Sequence, residues 1–158
     1  MFGEISVFDV RRLSPQAREA LGLRVLVMRR WPQGISKDSV DCWLPDAGPS
    51  LALLKALRDK DITWETFAVH YWQEQQELHT CKMFTYKQRV RTEEHFAHGP
   101  LQQLRQLEQA YPLGKIMCWE GEGKPCHRHL LLAHLHPASE QETNQCLIPI
   151  LSSSAEPS

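Results

Sequence analysis

Apolar residues in this chain alternate between short continuous runs and stretches spaced three or four apart. The first run, Ile5-Ser6-Val7-Phe8-Asp9-Val10, is β-branched and predicts a strand. Ser14-Pro15 before Gln16 to Leu21 predicts a capped short helix with proline at its first position, ended by Gly22. Arg24-Val25-Leu26-Val27-Met28 is the pattern of a strand buried on both faces. Arg29 to Lys37 contains Pro32 and Gly34 and predicts a loop. Ser36 or Asp38 is a candidate cap for a short helix through Trp43, broken by Pro45 and Pro49. Ser50 then caps a helix with Leu51, Leu53, Leu54 and Leu57. A longer helix from Trp64 to Leu78 carries the stripe Trp64, Phe67, Ala68 and Tyr71.

Residues 79–99 mix Lys82, Lys87, Arg89 and Arg91 with Met83, Phe84, Tyr86 and Phe96, and predict a short helix or an irregular insertion. Pro100 opens a helix with Leu101, Leu104 and Leu107. Lys115 to Trp119 is a third strand candidate, followed by the loop Glu120 to Pro125 and a helix from Cys126-His127-Arg128 to Leu135. Cys146 to Leu151 is expected as an edge strand or packed tail, and Ser152 to Ser158 as a disordered end. Apolar runs alternating with helices predict an α/β fold: one compact layered domain with a small, mostly parallel sheet flanked by helices. Residues 1–136 are expected to form that domain and 137–158 a partly disordered extension. Ligands in such sheets sit beyond the carboxyl ends of the strands, where loops 29–37 and 120–128 fall.

Composition narrows the functional classes. The 158 residues are 42% hydrophobic and 23% charged, with a formal net charge of −1. That fits a folded domain rather than a disordered chain or a wholesale coat for nucleic acid. The five cysteines are odd in number and scattered, unlike a disulfide scaffold. No basic start precedes an apolar run, and no apolar stretch approaches bilayer length, so a cytoplasmic location away from membranes is expected.

The strongest local signal is Cys126-His127-Arg128, where a Gly-containing loop enters a helix. Unsatisfied N–H groups and the positive end of the helix dipole favour thiolate at Cys126, as do Arg128 and a protonated His127. The expectation is a nucleophilic or anion-contacting Cys126, an acid/base or orienting His127 and an anion-holding Arg128. Glu120 would position Arg128 or a proton. The alternative is a small capping cysteine, a surface histidine and a salt-bridging arginine. Cys118, in an apolar strand, is expected to pack as an inert thiol.

Loop 29–37 offers Arg29, Trp31 and Lys37 for a phosphorylated or planar ligand, with Arg29 and Lys37 opposite Arg128. An anionic small molecule or nucleotide is the expected partner. A runner-up reading joins the basic clusters at 29–37 and 82–91 into one face for nucleic acid. No metal or cofactor is expected: the histidines at 127, 129, 134 and 136 have no pair three or four apart, and Cys118 and Cys126 are eight apart. Nucleophile-elbow, P-loop and dinucleotide fingerprints do not occur.

The same stretches resemble the domain-of-unknown-function 488 family. Arg29 to Lys37 is similar to its R-x-[WY]-P-x-G-[IL]-S-K loop, with Gln33 where an arginine is common. Trp43 to Ser50 is similar to its tryptophan, leucine and proline-serine segment, with Gly48 in place of an alanine. Trp64, Phe67 and Tyr71 match W-x-x-F-x-x-x-Y. Cys118, Glu120 and Cys126-His127-Arg128 with Leu130 resemble its C-x-E…C-H-R ending. The resemblance spans roughly residues 5 to 136 and implies a compact α/β domain with a site at Cys126-His127-Arg128, but no established reaction.

Overall fold

The computed structural model describes residues 1–87, 90–121 and 125–137. The strand β1 (Gly3–Ser6) runs directly into the helix α1 (Val7–Arg11), and α2 (Pro15–Glu19) follows. The strand expected through Val10 therefore stops at Ser6. Its side-chain oxygen accepts from the Phe8 N–H, capping a helical turn that buries Val7 and Val10, three apart, on one side. Ser14 caps α2 through the Ala17 N–H, and Gly22 ends it at φ 80°, where a Cβ would strike the Leu113 carbonyl.

β2 (Leu23–Leu26) leads to a 3-10 turn at Lys37–Ser39 and to β3 (Cys42–Trp43). The helix expected through Trp43 is absent. The segment is too short to repay helix nucleation, and Cys42 and Trp43 instead pair with Val25 and Leu26. After α3 (Leu51–Arg58) and α4 (Trp64–Glu77), residues 79–99 form a hairpin, β4 (Cys81–Lys87) and β5 (Val90–Phe96). This corrects the expected helix or insertion. Both faces of β4 carry apolar side chains, Cys81 and Met83 on one and Phe84 and Tyr86 on the other, which masks the two-residue period. The exposed β5 carries Arg91, Glu93, Glu94 and His95, charges of the kind that protect an edge strand. α5 (Pro100–Ala110), β6 (Gly114–Cys118) and α6 (His127–Leu135) complete the fold. The tail segments 146–151 and 152–158 lie outside the described residues.

The six strands form one sheet in the order β1-β6-β2-β3-β4-β5. β1, β6, β2 and β3 run parallel, and the hairpin adds two antiparallel strands. The mixed, mostly parallel α/β architecture is the one expected. Val25 and Ile116 point into a core shared with Phe67, Tyr71, Leu104 and Leu131 of α4, α5 and α6. Their neighbours Leu26 and Met117 point the other way, into a smaller core with Val7, Val10, Ile35 and Val40. This layering brings the carboxyl ends of β2 and β6 side by side. No helix among the described residues is long and apolar enough to cross a membrane.

Candidate functional site

At those carboxyl ends lies a cleft of about 270 Å³. Its floor is Cys118, the last residue of β6, with Cys126 and His127 from the start of α6. Met28, Arg29 and Arg30 line one side, and Glu120 and Trp119 another. Leu51, Leu54 and Leu57 of α3 with Trp64 and Phe67 of α4 make an apolar wall. The α4 rings continue inward: Trp64 stacks on Phe67, Phe67 on Tyr71, and Tyr71 meets the His127 ring edge-on at 5.6 Å. The buried Tyr71 hydroxyl donates to the Ala47 carbonyl at 2.6 Å, fixing the end of this stack.

His127 is held in one orientation. Its Nε2 lies 2.6 Å from the Val27 carbonyl, which can only accept, so Nε2 carries the proton. Nδ1 then faces both sulfurs, at 3.7 Å from Cys118 Sγ and 3.7 Å from Cys126 Sγ. The two thiols differ sharply. The Cys118 thiol is lowered from its ordinary value, first by a hydrogen bond from Cys126. Backbone N–H groups at Glu120 and Trp119 and the Arg128 charge add to this, against the opposing effect of burial. Cys126 is pushed up, because its proton is donated to Cys118 and because it is buried. The two buried thiols thus depart from an ordinary cysteine in opposite directions, Cys118 downward and Cys126 upward.

The three donor atoms of Cys118, Cys126 and His127 lie within 4.8 Å of one another. These side chains are the ones among the described residues that could hold a thiolate-preferring metal such as zinc. Spacing along one helix could not reveal this, because Cys118 comes from a strand.

The structure divides the other expected site residues. Glu120 and Arg29 line the cleft with Cys126 and His127. Arg128 does not: it is buried behind them, donating to the Glu120 carbonyl at 2.5 Å and the Gly121 carbonyl at 3.3 Å, with Glu4 3.9 Å from its Nε. Its Nη donors are turned to the start of the loop after β6. Arg29 is similarly committed, to the Pro49 and Gly48 carbonyls and to Asp46 at 3.2 Å. Arg30, the second guanidinium of the basic loop, lines the cleft without an ion pair among the described residues. Trp31 and Lys37 lie apart from the cleft, where Lys37 Nζ sits 3.5 Å from the Trp31 ring centroid. The first loop therefore meets the thiols through Arg29 and Arg30, while its later residues serve another face. The signal for Cys118 was its position, the last residue of an apolar run before a glycine-containing loop, which is where a parallel strand delivers a side chain to a site.

A cluster of two thiols and an imidazole at the carboxyl ends of a mostly parallel sheet defines the class: an α/β domain carrying a buried Cys/His cluster. Within that class, the chain belongs to the DUF488-N3a family, described as the active DUF488-N3 subclade, whose family model matches residues 8–139. It is also similar to an uncharacterised protein, YeaO, of Escherichia coli (strain K12), at 35% identity over 63 residues. That stretch is 39% of this chain and 55% of YeaO, so the chain spans about half the length of this curated relative. No solved structure matches the chain.

Proposed function

We propose that the cleft is the active site of a small thiol-dependent enzyme in which Cys118 is the nucleophile. The observation that carries this reading is the convergence on Cys118 of a thiol donor, two backbone N–H groups and the Arg128 charge, at the floor of an accessible cleft. Cys126 donates the hydrogen bond that keeps Cys118 as thiolate. His127 holds or moves a proton at Nδ1, while its bond to Val27 fixes the ring. Arg128 acts indirectly, pinning the Glu120–Gly121 backbone beside the thiolate.

The volume and the apolar wall suit a small substrate with an apolar body. Arg30 and Glu120 at the cleft suit an anionic group and a proton-bearing group respectively. The anionic group expected at Arg128 is thus assigned to Arg30. Paired alkylation tests this. Iodoacetate and iodoacetamide differ in charge, and mass spectrometry locates the adduct. Labelling should fall on Cys118, with iodoacetate favoured in the natural protein and that preference lost in Arg30→Gln. Labelling of Cys126 with Cys118 untouched would overturn the nucleophile assignment. Stoichiometric zinc bound by all three donors and blocking both thiols would overturn it in favour of a metal centre.

A further inference from the structure

Outside the thiol cleft, loop 29–37, β3 and the hairpin bring four aromatic rings together. Trp31 meets Trp43 at 5.5 Å and Tyr86 at 5.4 Å, and Trp43 stacks on Phe84 at 5.2 Å. Cations sit over this cluster. Lys37 Nζ is 3.5 Å from the Trp31 centroid and 5.1 Å from that of Tyr86. The Arg91 guanidinium is 4.8 Å from the Phe84 centroid, and Lys82 Nζ is 5.9 Å from it. Arg91 is also the cross-strand partner of Tyr86, the ring that Lys37 approaches from a 3-10 turn.

These are like charges drawn together on rings rather than onto carboxylates. Among the described residues neither Lys37 nor Arg91 forms an ion pair. Glu93, on the same face, is 3.1 Å from His95, and Asp41 is engaged by Arg24 at 3.0 Å. Cation–ring contacts fix the positions of positive charge without neutralising it. The Trp31 and Trp43 indole N–H groups are bonded to the Ile35 and Met28 carbonyls, so the rings are a fixed platform. Cations lie over the Trp31, Tyr86 and Phe84 rings, so what the surface presents to a partner is a group of positioned charges.

We propose that Lys37, Arg91 and Lys82 form a binding face for the phosphate backbone of a nucleic acid. Three cations from three separate elements, gathered over one aromatic cluster, fit the repeated phosphates of a strand better than a single anionic group. Arg and Lys contacts to phosphates position a nucleic acid without reading its sequence. Arg30 of the cleft and Trp31 of this face are consecutive residues, so a strand held here lies beside the loop that borders the thiol centre.

Fluorescence anisotropy with a labelled single-stranded oligonucleotide and the full chain tests this. Binding should be seen at low salt and weaken steeply as salt rises. The slope of log affinity against log salt should fall in magnitude by about 1 for each of Lys37→Gln and Arg91→Gln. Both side chains are exposed, and unchanged far-ultraviolet circular dichroism would show that the variants fold. Cys118→Ser should bind like the natural chain, which separates this face from the thiol reading. No binding at low salt, or an unchanged slope in the double variant, would overturn the proposal. Tighter binding of a phosphopeptide than of the oligonucleotide would overturn it in favour of a phosphoprotein partner.

Discussion

Arg128→Ala separates a loop anchor from a ligand clamp. The guanidinium is 2% exposed and donates to the Glu120 carbonyl at 2.5 Å and to the Gly121 carbonyl at 3.3 Å. A hydrogen bond from a charged donor contributes about 1.5–3 kcal/mol, and the short bond belongs at the top of that range and the long one at the bottom. Glu4, 3.9 Å from Nε and 31% exposed, adds less than about 1 kcal/mol because solvent screens it. Desolvation of the buried cation offsets part of this gain, while truncation leaves the two carbonyls without their donor. The expected loss is about 3–4 kcal/mol, a large share of the roughly 5–15 kcal/mol of a typical domain. In urea unfolding at constant slope this appears as a midpoint lowered by about 1.5–2 M. Arg128→Lys should fall between, since an ammonium keeps the charge but lacks the planar fork that reaches both carbonyls. A loss below about 1 kcal/mol, together with loss of the iodoacetate preference at Cys118, would refute the anchoring role and return Arg128 to the ligand.

Three further outcomes follow from the same geometry. Tyr71→Phe removes the 2.6 Å bond to the Ala47 carbonyl and leaves that oxygen buried, so unfolding experiments should show a loss of about 1–3 kcal/mol. Gly48→Ala places a Cβ 2.4 Å from the Arg29 backbone nitrogen, and the required backbone shift should cost about 1–3 kcal/mol in the same assay. The Cys81 thiol is pushed up to about 11 from 9.0, mainly by burial, so the unfolded chain releases that proton first. The stability this group contributes is fully present below pH 9 and is lost as pH rises through about 11, and Cys81→Ala should flatten that alkaline decline in thermal melts.

What the sequence discloses depends on how local the determining physics is. Ser14, Ser50 and Thr63 each cap the helix that follows, because capping is settled within a few residues. The apolar runs at 24–28 and 115–119 are strands within a residue or two, because central parallel strands are buried on both faces. The hairpin was hidden because β4 packs on both sides and the charged β5 lacks an apolar period. His127, Glu120 and Cys126 line the cleft together with Cys118, whose approach to Cys126 joins a strand end to a helix start and so could not be read from spacing along the chain. Arg128 resembles a ligand-binding arginine until its partners are seen to be carbonyls of its own loop. Lys37 and Trp31 belong together, but outside the cleft that Arg29 and Arg30 line.

The central claim is that the thiolate of this centre is Cys118. The most direct measurement is the iodoacetamide labelling rate of each cysteine in the native protein across a pH series, resolved by mass spectrometry. The account predicts that Cys118 labels fastest with an inflection below 9.0, that Cys126 lags at every neutral pH, and that Cys126→Ala moves the Cys118 inflection upward by removing its donor. Faster labelling of Cys126 than of Cys118 at neutral pH, or a Cys118 inflection that does not move in Cys126→Ala, would contradict it.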